Sequence, residues 1–243
     1  RVGSGVDNVD VEYFAARGIV TAYTPFAPVD AVAEMAVGLM VAALRGFQTH
    51  DQRLRAGEWK RDFGRRVMDC RVGIAGFGRI GRRVASLLAP FRCEILLHDE
   101  VPDAATAHAM GLRFVSKDVL LSEVDVLTLH LPLKANTRDW LGAHELRLCK
   151  DDSVVINAAR GGIVNEPAMH AFLRAHPGAY YCADVFSEEP YRGELTAMPN
   201  VLLLPHIGAS TRASRRDMEL QAVENCVRVL NGERCADIVA KNL

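Results

Sequence analysis

From residue 71 to residue 207 one unit recurs along the chain: a short run dense in Val, Ile and Leu, then a stretch with helical spacing. The apolar runs are RVGIA (71–75), EILLHD (94–99), RFV (113–115), DVLTLHL (125–131), SVVIN (153–157), AYYCADVF (179–186) and VLLLPHI (201–207). Helical patterns fall at 79–91, 104–110, about 138–149 and 166–175. Strands that are apolar at nearly every position are covered on both faces, and intervening helices supply the crossovers that parallel pairing requires. The pattern predicts an α/β fold, a doubly wound parallel sheet. In such a sheet, side chains with chemical roles collect beyond the carboxyl ends of the strands.

The first of those ends carries GFGRIG (76–81), a GxGxxG sequence lying between a predicted strand and a predicted helix. Alone the motif is weak, because glycine-rich turns are common, but strand–turn–helix is the context a dinucleotide site needs. Gly76 allows the tight turn, Gly78 lets backbone approach a pyrophosphate, and Gly81 lets helix and strand pack closely. Amides at the helix start then face the phosphates. Asp99 closes the next strand, where a carboxylate accepts the ribose hydroxyls of NAD and repels the 2′-phosphate of NADP. A Rossmann-type domain binding NAD is therefore expected, with Glu100 and His98 close enough to influence the NAD/NADP choice.

Three polar residues stand at or past other strand ends: Arg160 after SVVINAA, Glu189 after ADVFSE, and His206 within LLLPHIG. A histidine in an apolar run is often a satisfied core group, and an acid before Pro190 is often just solvated. Their common placement at one sheet edge, beside a dinucleotide fingerprint, points to a shared crevice.

Lys+Arg number 29 against Asp+Glu 30, for a net charge of −1, so no overall field favours nucleic acid or an anionic membrane. The arginine-rich RLRAGEWKRDFGRR (53–66) is interspersed with acids and reads as a solvated connection or a subunit-facing arm. The longest apolar stretch, Ala31–Leu44, is interrupted by Glu34 and too short to span a bilayer. Six cysteines show no CxxC spacing, which favours reduced thiols in a cytoplasmic protein, and no metal is expected.

Outside the repeating region, residues 1–30 hold a glycine-rich turn, a short helix (VEYFAARG), a strand-like IVTAY and a proline-bearing loop. Residues 31–46 read as a buried helix, and Thr211–Leu230 as a helix stopped by NGE.

GVDNVD, GFGRIG, LHLPL…TR, NAARGG, ADVFSEEP and PHIGAST occur in the order found in the D-isomer-specific 2-hydroxyacid dehydrogenases, which the chain resembles over nearly its whole length. The wording of GVDNVD and HIGAST is most similar to the D-3-phosphoglycerate dehydrogenase branch. The resemblance implies an NAD-dependent oxidoreductase passing a hydride between nicotinamide C4 and C2 of a small D-2-hydroxy or 2-keto acid. Arg160 would hold the substrate carboxylate. His206 would serve as acid and base, with Glu189 pairing to the imidazole and orienting it.

Further positions follow by motif. Arg79, Ile80, Leu131 and Pro132 would line the cofactor, Ala158 would touch it through backbone, and Asp184 would meet the carboxamide end. Gly208 and Ala209 would complete the nicotinamide pocket, and Thr24 would contact the cofactor from the other domain. Val2, Gly3 and Ser4 would offer amides to the substrate carboxylate, and Arg1 would meet a distal phosphate.

The same comparison divides the chain into 1–30, the tail of a flavodoxin-like substrate domain whose earlier part is missing, 31–209, the NAD-binding domain, and 210–243, a helix and segment returning to the substrate domain. A homodimer is expected, with helix 31–45 and the arm bearing Trp59 as candidate contacts. The acid usual after GGIV is Asn165 here. A second reading of the same residues is an NAD(H)-sensing corepressor, which shares the fold and retains the three polar residues.

Overall fold

A computed structural model describes residues 1–239. Two compact units divide near residues 32/33 and 207/208. The larger unit, 33–207, holds seven strands: β1 (Arg71–Ala75), β2 (Glu94–His98), β3 (Arg113–Phe114), β4 (Val126–Leu129), β5 (Val154–Asn157), β6 (Tyr180–Ala183) and β7 (Val201–Leu203). They form one sheet in the order β3-β2-β1-β4-β5-β6-β7, and every pairing is parallel. The strand order reverses between β1 and β4, the switch point beside which ligands bind in such sheets.

The helices are α1 (Val11–Ala16), α2 (Val29–Leu44), α3 (Phe47–Arg55), α4 (Arg79–Leu88), α5 (Ala104–Ala109), α6 (Lys117–Glu123), α7 (Ala143–Leu146), α8 (Glu166–Ala175) and α9 (Arg212–Leu230). Alternate strand residues feed two separate cores. Val72, Ile74, Val126, Val154, Ile156 and Cys182 pack with Ala36 and Met40 of α2 and Val84 and Leu88 of α4. Leu127, Leu129, Val155, Tyr181 and Ala183 pack on the other face with Leu120 and Leu121 of α6 and Met169 and Leu173 of α8. This two-sided burial is why the strands carry no polar alternation. Each fully buried Leu or Ile contributes about 1.5–3 kcal/mol.

Three local expectations need correction. The helix expected over 138–149 shrinks to α7, because residues 139–141 run beside 162–165 instead. Asp139 N donates to Gly162 O (2.8 Å), Leu141 N to Ile163 O (3.1 Å) and Asn165 N to Leu141 O (3.0 Å). Gly142 then starts the helix, with Glu145 accepting its amide at 3.1 Å. Helix α6 was not foreseen; Ser116 caps it, and Leu120 and Leu121 bury on the sheet. IVTAY forms no strand, only an isolated antiparallel bridge between Ala22 and Ile238, and Ile19 and Val20 stay half exposed.

In the smaller unit, α9 is tied to the chain start by Asn225 Nδ2, which donates to Tyr23 O (3.0 Å), and Ser214 Oγ, which donates to Ala27 O (3.0 Å).

Candidate active site

The turn after β1 shows why three glycines are needed, each for a different reason. Gly76 has φ +94°, and a Cβ there would lie 2.5 Å from His130 O. A Cβ on Gly81 would lie 2.0 Å from Gly76 O, so helix and turn can approach only without a side chain. Gly78 differs, for a Cβ there would meet nothing within 4 Å. Its missing side chain leaves open space above an exposed backbone. Gly78 also caps α4 with no side-chain hydrogen bond, so the first amides of the helix have no side-chain acceptor there. Open space, uncapped amides and the positive end of a helix dipole fit a bound pyrophosphate. Arg79 is exposed and Ile80 half-buried on the first turn of the same helix.

Asp99 sits beside this turn. Its Oδ2 accepts from Phe77 N (2.6 Å) and its Oδ1 from Val101 N (2.9 Å), so the carboxylate is locked to the glycine turn. On the other side, His130 N donates to Ala75 O at 2.7 Å, which brings the start of the loop bearing Leu131 and Pro132 against β1. The His130 imidazole bonds Thr128 Oγ1 through Nε2 (3.0 Å), its Nδ1 is buried without a partner, and burial pushes its pKa down to about 4.

Arg160 is delivered by a stapled turn. Asn157, the buried last residue of β5, accepts from Ala159 N (3.2 Å) and donates Nδ2 to Arg160 O (3.0 Å). Ala158 and Ala159 are buried beneath it. The half-buried Arg160 guanidinium donates Nη1 to Ala159 O at 2.6 Å. Gly161 lies directly against the next loop, where a Cβ would be 1.8 Å from Phe186 O, and Gly162 turns the chain at φ +78°. Asn165 explains its own place: its Oδ1 caps α8 by accepting Ala168 N (3.0 Å), and its Nδ2 donates to Asp139 Oδ1 (3.1 Å). An aspartate could make the cap but not the second bond.

Beyond β6 and β7 the structure brings Glu189 and His206 together. His206 Nδ1 lies 2.8 Å from Glu189 Oε2, and the other carboxylate oxygen accepts Phe186 N at 3.1 Å. The carboxylate is therefore aimed from both ends, and with Nδ1 so engaged Nε2 is the ring nitrogen left to exchange a proton. His206 has φ +55°, a left-handed conformation that costs a non-glycine residue about 1 kcal/mol or more and is concentrated at functional sites. Asp184 holds that backbone: buried, it accepts Ile207 N at 2.7 Å. The imidazole is half exposed, open to a ligand.

Two positioning residues escaped the sequence reading. Asn157 was signalled only by a polar residue ending an apolar strand. Glu166, which accepts Ser187 N at 2.7 Å, looked like an ordinary first-turn acid.

Gly208 is buried and Ala209 half-buried immediately after this strand end. In the smaller unit, buried Thr24 accepts Gly3 N through Oγ1 (2.7 Å) and donates its own amide to Gly3 O (3.1 Å). Arg1 lies back over the Val2–Ser4 turn, donating Nε to Gly5 O (3.0 Å) and Nη1 to Val2 O (2.5 Å).

Comparison with known proteins gives this geometry a family. Residues 37–208 match the D-isomer specific 2-hydroxyacid dehydrogenase, NAD binding domain. The chain is 35% identical over 243 residues to the D-3-phosphoglycerate dehydrogenase of Methanocaldococcus jannaschii, covering 98% of this chain and 46% of that protein. It is 35% identical over 254 residues to the glyoxylate reductase of Aeropyrum pernix, covering 100% of this chain and 76% of that one. The chain thus spans about half the length of the first relative and three quarters of the second. The crystal structure of a glyoxylate reductase from Paecilomyes thermophila superposes with a TM-score of 0.90 at 35% identity, over 99% of this chain and 74% of that one. The chain belongs to the D-isomer-specific 2-hydroxyacid dehydrogenase family and carries its NAD-binding domain.

Proposed function

We propose that this chain is the NAD-binding and catalytic part of an oxidoreductase that moves a hydride between nicotinamide C4 and C2 of a small D-2-hydroxy or 2-keto acid. The observation that carries this reading is the His206–Glu189 pair at 2.8 Å, on the same sheet edge as the glycine turn and Asp99. The cofactor, when bound, supplies or takes up the hydride.

The chain's own residues do the rest. His206 Nε2 holds the proton that the substrate oxygen gains on reduction and recovers it on oxidation, while Glu189 fixes the ring through Nδ1. Arg160 supplies a forked cation for the substrate carboxylate, its turn fixed by Asn157. The Val2–Ser4 turn is proposed to offer amides to the substrate carboxylate, and the Arg1 guanidinium to meet a distal phosphate. That choice makes a 3-phosphoglycerate-like acid the preferred finer reading.

Relatives are named for both phosphorylated and plain acids. The test is therefore NADH oxidation by the full-length protein with phosphohydroxypyruvate, hydroxypyruvate, glyoxylate and pyruvate. Turnover of at least one is expected, with the phosphorylated acid preferred. NADH binding without turnover of any of the four would reject the enzyme.

A homodimer is the proposed assembly. The segment after α3 exposes Trp59 (82%) and Phe63 (105%), and α3 itself exposes Phe47 and Leu54. Isolated exposed apolar residues are ordinary, but four on one arm support a covered face. Sedimentation velocity should show a dimer for wild type and a weakened dimer for Trp59→Ala with Phe63→Ala; an unchanged dimer would place the contact elsewhere. Six unpaired cysteines, four of them buried, support a reducing, cytoplasmic setting. Among the described residues no helix is long and apolar enough to cross a membrane.

A further inference from the structure

Glu100 follows Asp99 and is exposed, yet it is not loose. Asn136 Nδ2 donates to both of its carboxylate oxygens, at 2.8 and 2.9 Å. The two residues lie on segments that follow β2 and β4, the strands on either side of β1. The glycine turn after β1 is tied to each of those segments in turn. Gly76 N donates to His98 O (2.8 Å), Phe77 N to Asp99 Oδ2 (2.6 Å), and His130 N to Ala75 O (2.7 Å). The Asn136–Glu100 link therefore closes a ring across the carboxyl edge of β1, around the turn that receives the dinucleotide. Asn136 is itself placed by a rigid loop, since buried Thr137 donates Oγ1 to Pro132 O (2.6 Å) and accepts Lys134 N (2.7 Å).

We propose that Glu100, held by Asn136, is a second specificity-determining carboxylate at the adenosine end of the cofactor and excludes a ribose 2′-phosphate. Asp99 supplies the first such charge, locked to the glycine turn by two backbone amides, and Glu100 adds a second. Glu100 is held by a neutral amide, which fixes its position and leaves its charge intact. A lysine or arginine at 136 would have fixed it equally well and cancelled that charge. A phosphate ester placed beside Asp99 meets a second like charge positioned by Asn136, whereas ribose hydroxyls meet an acceptor. Asn136 acts as a positioning residue, through Glu100.

The inference rests on dinucleotide binding at Gly76–Gly81, and direct binding separates the two. Dissociation constants for NADH and NADPH would be measured by nicotinamide fluorescence with full-length wild type, Glu100→Gln, Glu100→Lys and Asn136→Ala. Glu100→Gln should lower the NADPH/NADH ratio of dissociation constants by about tenfold, the effect of one like-charge contact of ~1.4 kcal/mol. Glu100→Lys should lower it further, and Asn136→Ala by less than Glu100→Gln.

Added salt should shrink the wild-type ratio more than that of Glu100→Gln, which keeps only the Asp99 charge, a signature a purely structural role would not give. An unchanged ratio in Glu100→Gln and Glu100→Lys, with NADH still bound, overturns the proposal; so does equal salt dependence in wild type and Glu100→Gln. Failure of wild type to bind NADH would instead reject the dinucleotide site itself.

Discussion

Replacing His206 with alanine lowers turnover of the preferred 2-keto acid by about 10²–10⁴-fold, the range for loss of a positioned general acid. NADH affinity stays as in wild type, because the glycine turn is held by Asp99, whereas the imidazole pairs with Glu189. The loss falls on kcat more than on KM, since in the proposed reaction the proton moves in the transition state while Arg160 anchors the substrate. Glu189→Gln is the companion variant. Its Oε1 can still accept Phe186 N, but its NH2 then faces His206 Nδ1 as a donor, so ring placement survives in part while the charge is lost and the tautomer reversed. Its kcat should fall less than that of His206→Ala. Wild-type kcat in His206→Ala would remove this residue from the chemistry, and an equal collapse of NADH binding would show that the substitution acts through the fold.

The fold was legible because its signal is local and repeated. Strands such as VVIN, buried on both faces, leave an unbroken apolar run, and the helix after GFGRIG keeps its apolar residues on one face. The encounter of Glu189 with His206 was legible at one remove, since β6 and β7 are neighbours and both residues stand past their carboxyl ends. What escaped depends on which loop lies against which. Nothing in GGIV announces that residues 162–165 will pair with 139–141 and displace a helix. Nor does a polar residue ending an apolar strand reveal that Asn157 staples the Arg160 turn. KDVLLSE is too short, with its apolar residues in one block, for periodicity to mark α6. Asn136 and Glu100 are 36 positions apart, and only the sheet order brings them together.

Gly161→Ala is expected to damage stability and chemistry together, and the reason is space. A Cβ at 161 would stand 1.8 Å from Phe186 O, 2.1 Å from Phe186 C and 2.7 Å from Ser187 N. All three are backbone atoms, so no rotamer change relieves the clash; one loop must move. Overpacking of this kind costs about 1–3 kcal/mol. At this chain length that lowers Tm by about 2–4 °C per kcal/mol.

The displaced peptide also adjoins the groups that place the proposed chemistry. Phe186 N is one of the two groups holding the Glu189 carboxylate, and Arg160 is the residue next to the new methyl. Misplacement by about 1 Å can cost about 10²-fold in rate, so kcat/KM should fall by that order while NADH binding at the glycine turn persists. Gly78→Ala supplies the opposite pattern: its Cβ meets nothing, so Tm should hold and only cofactor affinity should drop. A Gly161→Ala protein with wild-type Tm and kcat/KM would mean that the Arg160 turn and the Phe186 loop do not touch, and the idea that glycine joins the two halves of the site would fall with it.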